Sequence, residues 1–236
     1  MSSINPPSDP RCAIILVSGG MDSCLVAAMM RAEGYELNFL HTNYGQRTER
    51  KELECFHRLA DHFAAARRLV VDIRHLAMIG GSSLTDTHME VTPAMLDAGD
   101  VPSSYVPFRN ANILAIAVSW AETIGAGTIA IGAVEEDSSG YPDCRLVFYE
   151  AFQRVVELGT RPETRISIAT PVIGMAKHEI VSAGRELDAP FHLTWSCYKQ
   201  EDVACGECDS CALRLRGFAR AGMADPVPYA GSGAAP

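Results

Sequence analysis

The 236-residue sequence predicts an α/β protein: a mostly parallel sheet flanked by helices, with a small C-terminal lobe built around cysteines. Three observations predict it. An apolar run at 13–17 passes through Ser18-Gly19-Gly20-Met21-Asp22-Ser23 into residues at helical spacing, the pattern of a strand, a ligand loop and a helix. Apolar, β-rich runs then alternate with helical patterns along the chain, as in a parallel sheet wrapped by helices. Finally, Cys197, Cys205, Cys208 and Cys211 fall within fifteen residues, while the remainder of the eight cysteines are scattered.

In chain order, residues 1–11 read as a flexible leader. Strands are expected at 13–17, 36–41, 68–72 and 128–132, and helices at 22–33, 47–63, 109–124 and 146–158. Residues 74–107 break this alternation with Gly-Gly, Ser-Ser and several prolines, and so long a loop inside a compact domain is usually functional. The stretch TPVIGMAKHEIVSAGREL gives a short extended piece and a further helix, the cysteine segment follows, and 223–236 reads as a flexible tail.

Composition narrows the class. With 47% hydrophobic and 21% charged residues the chain buries a substantial core, and a net charge of -9 argues against a broad grip on a nucleic-acid backbone. No apolar run approaches the roughly 20 residues that span a bilayer. The N-terminus lacks the basic and apolar regions of a signal peptide, so a cytoplasmic protein without membrane contact is expected.

The glycine loop carries the first chemical signal. Two glycines let the backbone turn sharply against a ligand, and the following helix offers N–H groups and its positive end to an anion. The loop lacks the lysine of GxxxxGK[ST] and the spacing of GxGxxG, so it is neither of those phosphate loops. Asp22 on such a loop would repel a nucleotide without a cation, which points to a Mg²⁺ contact or to a helix cap. Ser18-Gly19-Gly20-Met21-Asp22-Ser23 resembles the SGGxDS loop of the PP-loop ATP pyrophosphatase superfamily. That resemblance implies an adenine-nucleotide-α-hydrolase-like, Rossmann-like domain over 12–185, with pyrophosphate held in the loop as the leaving group of an adenylation.

The cysteine segment carries the second. A C-x7-C-x2-C-x2-C spacing, with Gly206 to permit the turn, brings four thiolates onto one tetrahedral ion, and four thiolates close the site to water. One structural Zn²⁺ per chain in a lobe at 186–222 is the reading, with an iron–sulfur cluster as its competitor.

Further stretches resemble one PP-loop family, the 7-cyano-7-deazaguanine synthases of the QueC type. They are VSGGMDS, NYGQR at 43–47, YVPFRN at 105–110, SGYPDCR at 139–145, Thr170-Pro171, KHEI at 177–180, and SCY with CGECDSCALR, together spanning 13 to about 218. The resemblance implies a homodimeric ligase converting 7-carboxy-7-deazaguanine and ammonia to the nitrile with ATP and Mg²⁺. It implies ATP binding by Val17, Ser18, Gly19, Gly20, Met21, Asp22, Ser23, Cys24, Leu25, Val26, Ala27 and Gly132. Asp22, Lys177 and Arg109 are the candidate catalytic residues. Arg47 and Asn110 are further candidates for gripping phosphate or carboxylate. Asp137, Tyr141 and Asp143 are candidates for reading the purine-like base, and Tyr44 and Gln46 for the mouth of the site.

Two features depart from the family pattern. Phe108 stands where a smaller residue, often glycine, is expected, and Leu146 and Val147 replace residues that are often acidic. They leave room for an alternative, a QueC-like paralogue that transfers an adenylated deazaguanine to a protein acceptor in a defence system.

Overall fold

The computed structural model describes residues 8–91, 94, 101–135 and 140–231. Five parallel strands lie in the order β3-β2-β1-β4-β5. They are β1 (Asp9–Leu16), β2 (Glu36–Asn43), β3 (Arg67–Asp72), β4 (Ala126–Ile131) and β5 (Ser167–Ala169). The helices are α1 (Met21–Ala32), α2 (Glu49–His62), α3 (His75–Ile79), α4 (Arg109–Ile124), α5 (Leu146–Gly159), α6 (Lys177–Glu186) and α7 (Asp209–Arg220).

The central strand shows why the chain reads as apolar without alternation. Ala13, Ile15 and Val17 face one layer, with α1, Phe56 and Leu59 of α2, and Ile180 of α6. Cys12, Ile14 and Leu16 face the other, with Leu114, Ala117 and Ala121 of α4 and Tyr149 and Val156 of α5. Helices on both sides exclude water from both faces, so every position of the strand interior must be apolar. Full burial of one such Ile or Leu stabilises by about 1.5–3 kcal/mol, which makes these two layers the main source of stability.

After β3 the chain returns through α4 and lays β4 on the opposite side of β1. The order of strands reverses there, which opens a crevice above the carboxyl ends of β1 and β4, the usual ligand position of such sheets. The loop 18–23 stands at that crevice.

The predicted elements appear within a few residues, and three differences have clear physical causes. β1 begins at Asp9 rather than 13, because Asp9 pairs with Ala126 beyond a register shift. Loop 74–107 is packed in its described part: Ser82 and Ser83 are fully buried and Val91 joins the cysteine lobe. The expected tail is tied down through residue 230. Arg214, buried in α7, makes a bidentate ion pair with Asp225 at 2.8 and 3.0 Å, and Tyr229 O–H donates to the same carboxylate at 2.7 Å. Among the described residues, no helix is long and apolar enough to cross a membrane.

Candidate active site and metal centre

Gly19 turns the chain between β1 and α1 with φ +90°, a conformation that costs an L side chain about 1–2 kcal/mol. A Cβ there would lie 2.8 Å from the Glu52 carbonyl, so the loop rests directly on α2. Gly20 N–H donates to Ser18 Oγ at 3.2 Å, and Ser23 Oγ donates to the Gly20 carbonyl at 3.0 Å. No side chain caps α1, which leaves its first-turn N–H groups and its positive end facing the crevice. Gly132, just after β4, passes so close that a Cβ would lie 2.7 Å from Ser23 N.

Two adjoining cavities open at the crevice. The first lies over the strand ends, walled by Val17, Leu40, His41, Ile113 and Ile131. The second reaches from Gly20, Met21 and Asp22 to Lys177 and on to Trp195, Ser196 and Tyr198. Ser18, Tyr44, Glu52, Arg109, Gly132 and Cys144 line both, so the two form one continuous site.

Charge is concentrated in the second cavity and at its junction with the first. Lys177 Nζ lies 2.6 Å from Asp22 Oδ2, and both side chains are largely buried. Oδ1 of Asp22 is buried without a hydrogen-bond partner. A carboxylate oxygen left over in this way fits a hard cation that phosphate oxygens and water would otherwise surround, so the residues present accommodate the implied Mg²⁺. Arg109 donates to the Tyr44 hydroxyl at 3.1 Å and lies over the Tyr44 ring. Burial opposes its charge, but Tyr44, Tyr141, Cys144 and Asp143 around it outweigh burial and hold it protonated. Tyr141 lines the second cavity and its O–H donates to Ser104 Oγ at 2.9 Å.

Several sequence candidates sit elsewhere. Cys24, Leu25, Val26 and Ala27 are buried in the core beneath the loop and line neither cavity, because α1 turns them toward the sheet. Arg47 donates to the carbonyls of Ser83 and Asp86 at 2.7 and 2.8 Å, so its guanidinium clamps the 82–89 loop. Gln46 accepts the Tyr44 N–H at 2.9 Å and donates to Glu52 at 3.1 Å, bracing the turn from within. Asp143 is buried, lines neither cavity, and accepts the Asn110 N–H at 3.0 Å, so that it caps the first turn of α4. Asn110 lines the first cavity, but its amide donates to the Asp143 carbonyl at 2.9 Å and so holds the 141–145 turn. Asp137 lies outside the described residues.

Glu52, Cys144 and Tyr198 line the site and are among the residues that the sequence did not single out. Burial raises Glu52 to a pKa of about 7 against hydrogen bonds from Thr48 and Gln46. Burial likewise raises the Cys144 thiol to about 11. A signal for Glu52 exists: with Cys55, Phe56 and Leu59 it occupies positions i, i+3, i+4 and i+7 of α2, a carboxylate on the apolar face.

The four C-terminal cysteines converge, with all sulfurs within 4.8 Å of one another. A tetrahedron with metal–sulfur bonds near 2.3 Å has sulfurs roughly 3.8 Å apart, so the cluster matches a four-thiolate ion in scale. Hydrogen bonds from Cys208 and Cys211 hold Cys197 far below the thiol range, and the bond to Cys197 pushes Cys208 up to about 12. Backbone N–H groups of Lys199, Gln200 and Cys205 point to Cys197 Sγ at 3.3–3.4 Å. The lobe also supports the loop, since Trp195 N–H donates to the Gly19 carbonyl at 2.8 Å.

Known proteins resemble this chain over nearly its whole length. The family model "Queuosine biosynthesis protein QueC" matches residues 12–222. Proteins named 7-cyano-7-deazaguanine synthase from Chlorobaculum tepidum and Chlorobaculum parvum are 64% and 63% identical over 92% of this chain and 96% of theirs. The protein of that name from Chloroherpeton thalassium is 58% identical over the same shares. The chain belongs to the QueC family of queuosine biosynthesis proteins.

Proposed function

We propose that the protein is a 7-cyano-7-deazaguanine synthase, an ATP-dependent ligase that converts 7-carboxy-7-deazaguanine and ammonia to the nitrile. The observation that carries this reading is the buried Lys177–Asp22 pair beside an uncapped helix start, inside a site large enough to branch into two cavities. Relatives at 58–64% identity support the same acceptor, and the protein-acceptor alternative is not favoured.

The chemistry follows from a leaving-group problem. A carboxylate oxygen departs poorly, and AMP attached to it departs readily. In this reading Ser18, Gly19, Gly20 and Ser23 hold the departing pyrophosphate with hydroxyl and backbone donors. Asp22 holds Mg²⁺, which when bound neutralises the phosphate charge. Lys177 and Arg109 supply fixed positive charge where negative charge grows, an effect worth about 10²–10³ in rate per positioned donor. Val17, Met21 and Gly132 form walls for ATP. Tyr44 carries Arg109, and Tyr141, with Tyr198, offers aromatic surface for the deazaguanine in the second cavity.

Adenylation then occurs twice. Ammonia displaces AMP from the acyl-adenylate to give the amide, and the amide oxygen is adenylated in turn and lost as the nitrile forms. The four cysteines hold a structural Zn²⁺ outside the reaction.

The homodimer belongs to the same proposal. Val147, Ala151, Val155 and Leu158 are exposed along one face of α5 at intervals of four, four and three, an apolar stripe suited to a second copy. Labelled pyrophosphate should exchange into ATP when 7-carboxy-7-deazaguanine is present and ammonium is left out. Exchange that ignores the acid counts against the reading.

A further inference from the structure

The proposed reaction must dispose of protons. Ammonia brings three N–H bonds and the nitrile nitrogen keeps none. In the first substitution a carbon–nitrogen bond forms, the carbon–oxygen bond to AMP breaks, AMP leaves with the electron pair, and one N–H proton must depart. The amide loses a second as its oxygen attacks ATP and expels pyrophosphate. The third departs when the carbon–oxygen bond of the adenylated amide breaks and the nitrile forms. Each transfer needs an acceptor facing the reacting carbon.

Among the described residues, the carboxylates lining the cavities are Asp22 and Glu52. Asp22 is engaged with Lys177 at 2.6 Å. His41 faces the first cavity, but its ring nitrogens are taken by the Val17 carbonyl at 2.8 Å and Asn43 Oδ1 at 3.1 Å. The Tyr44 hydroxyl accepts from Arg109, and the Tyr141 hydroxyl is held by Ser104. The Cys144 thiol is pushed up to about 11, and burial holds the Tyr198 hydroxyl well above its ordinary range.

Glu52 differs in placement. It lines both cavities and therefore reaches both the nucleotide side and the acceptor side of the site. Thr48 Oγ1 donates to Oε1 at 2.8 Å and Gln46 Nε2 to Oε2 at 3.1 Å, which fixes the carboxylate while leaving a lone pair on each oxygen. Its backbone carbonyl is wedged against Gly19, so its position is locked to the phosphate loop.

We propose that Glu52 accepts each of the three protons from the ammonia-derived nitrogen in turn and passes each to water at the open crevice before the next, an inference that rests on the synthase reading. Its raised pKa suits a base working near neutrality. The charged or titratable groups around it are Glu49 on α2, His41 and Tyr44 from the β2 side, Arg109 on α4, and Tyr141, Cys144, Asp22, Lys177 and Tyr198 around the cavities. The hydrogen bonds from Thr48 and Gln46 and the charge of Arg109 favour its ionised form, and burial and Glu49 oppose it.

The test separates adenylation from proton transfer, because attack of a carboxylate on ATP releases no N–H proton. Glu52→Gln should keep acid-dependent pyrophosphate exchange within about threefold of the parent while nitrile formation falls about 100-fold or more. Glu52→Asp should recover part of that loss. With the rate referred to the concentration of free ammonia at each pH, the parent should still rise through about pH 7, and Glu52→Gln should lack that limb. Nitrile formation by Glu52→Gln within about threefold of the parent overturns the proposal, as does an equal fall of exchange and nitrile formation. A parent enzyme that shows no acid-dependent exchange overturns the synthase reading itself.

Discussion

Lys177 Nζ and Asp22 Oδ2 lie 2.6 Å apart across 155 residues of chain, joining the start of α6 to the first turn of α1. A lysine at a helix N-terminus opposes the helix dipole, and this carboxylate offsets that cost. Gly217 of α7 makes the pairing possible, because a Cβ there would meet Lys177 Cβ at 2.8 Å. Lys177→Met should lower acid-dependent pyrophosphate exchange by about 100-fold or more while metal content stays at the parental value. Exchange assays and metal analysis on one preparation check both halves.

The cysteine lobe should be felt at the phosphate loop. Trp195 N–H holds the Gly19 carbonyl at 2.8 Å, two residues before the first cysteine of the cluster. Cys208→Ser removes a fully buried sulfur of the four-cysteine cluster. Bound metal should drop below about half an equivalent, the melting temperature should fall by about 10 °C or more, and ATP should bind more weakly. Plasma emission spectrometry, a thermal melt and a binding titration measure the three.

Phe108 adopts φ +57°, the left-handed region, which explains why a glycine is expected there. The strain of about 1–2 kcal/mol is offset by edge-to-face packing on Phe148 at 6.2 Å, worth about 0.5–1.5 kcal/mol, and by the backbone entropy that glycine would add to the unfolded chain. The side chain is 60% exposed and lines neither cavity. Phe108→Gly should therefore leave stability within about 1 kcal/mol of the parent and nitrile formation unchanged, as denaturant titration and product assay would record.

Arg47 should prove structural. Arg47→Ala strips its donors from the Ser83 and Asp86 carbonyls and should cost about 2–3 kcal/mol, with faster proteolysis in the 82–89 loop. The KM for ATP should change less than the stability suggests. A large rise in that KM with unaltered stability would return Arg47 to the site.

The pH dependence of stability has a definite sign at Glu52. Its folded pKa is raised from 4.5 to about 7, so the fold holds a proton that the unfolded chain releases. That contribution is complete below about pH 4.5 and is lost as pH rises through about 7. Relative to Glu52→Gln, which does not titrate, the parent should lose stability across this window. Paired melts at several pH values measure the difference.

Much of this protein is legible in its sequence because its strongest signals are local. The apolar run of β1, the glycine loop and the start of α1 are continuous, and the cysteine spacing is set within fifteen residues. Less was legible where polar residues of one motif divide their duties. Gln46, Arg47, Asn110 and Asp143 lie in the family stretches, yet their hydrogen bonds hold turns and loops around the site. Glu52 escaped notice because it sits among Glu49, Lys51 and Glu54, a run that reads as a solvated helix face. Its place on the helix face of Cys55, Phe56 and Leu59 is what turns it inward.

The most direct test of the function is mass spectrometry of the purified protein with ATP, Mg²⁺, ammonium and 7-carboxy-7-deazaguanine, counting nitrile and AMP together. Two adenylations at one site require two AMP for each nitrile released. Nitrile at that ratio is the expected result. AMP formed without nitrile, or a reaction that stops at the amide, would contradict it.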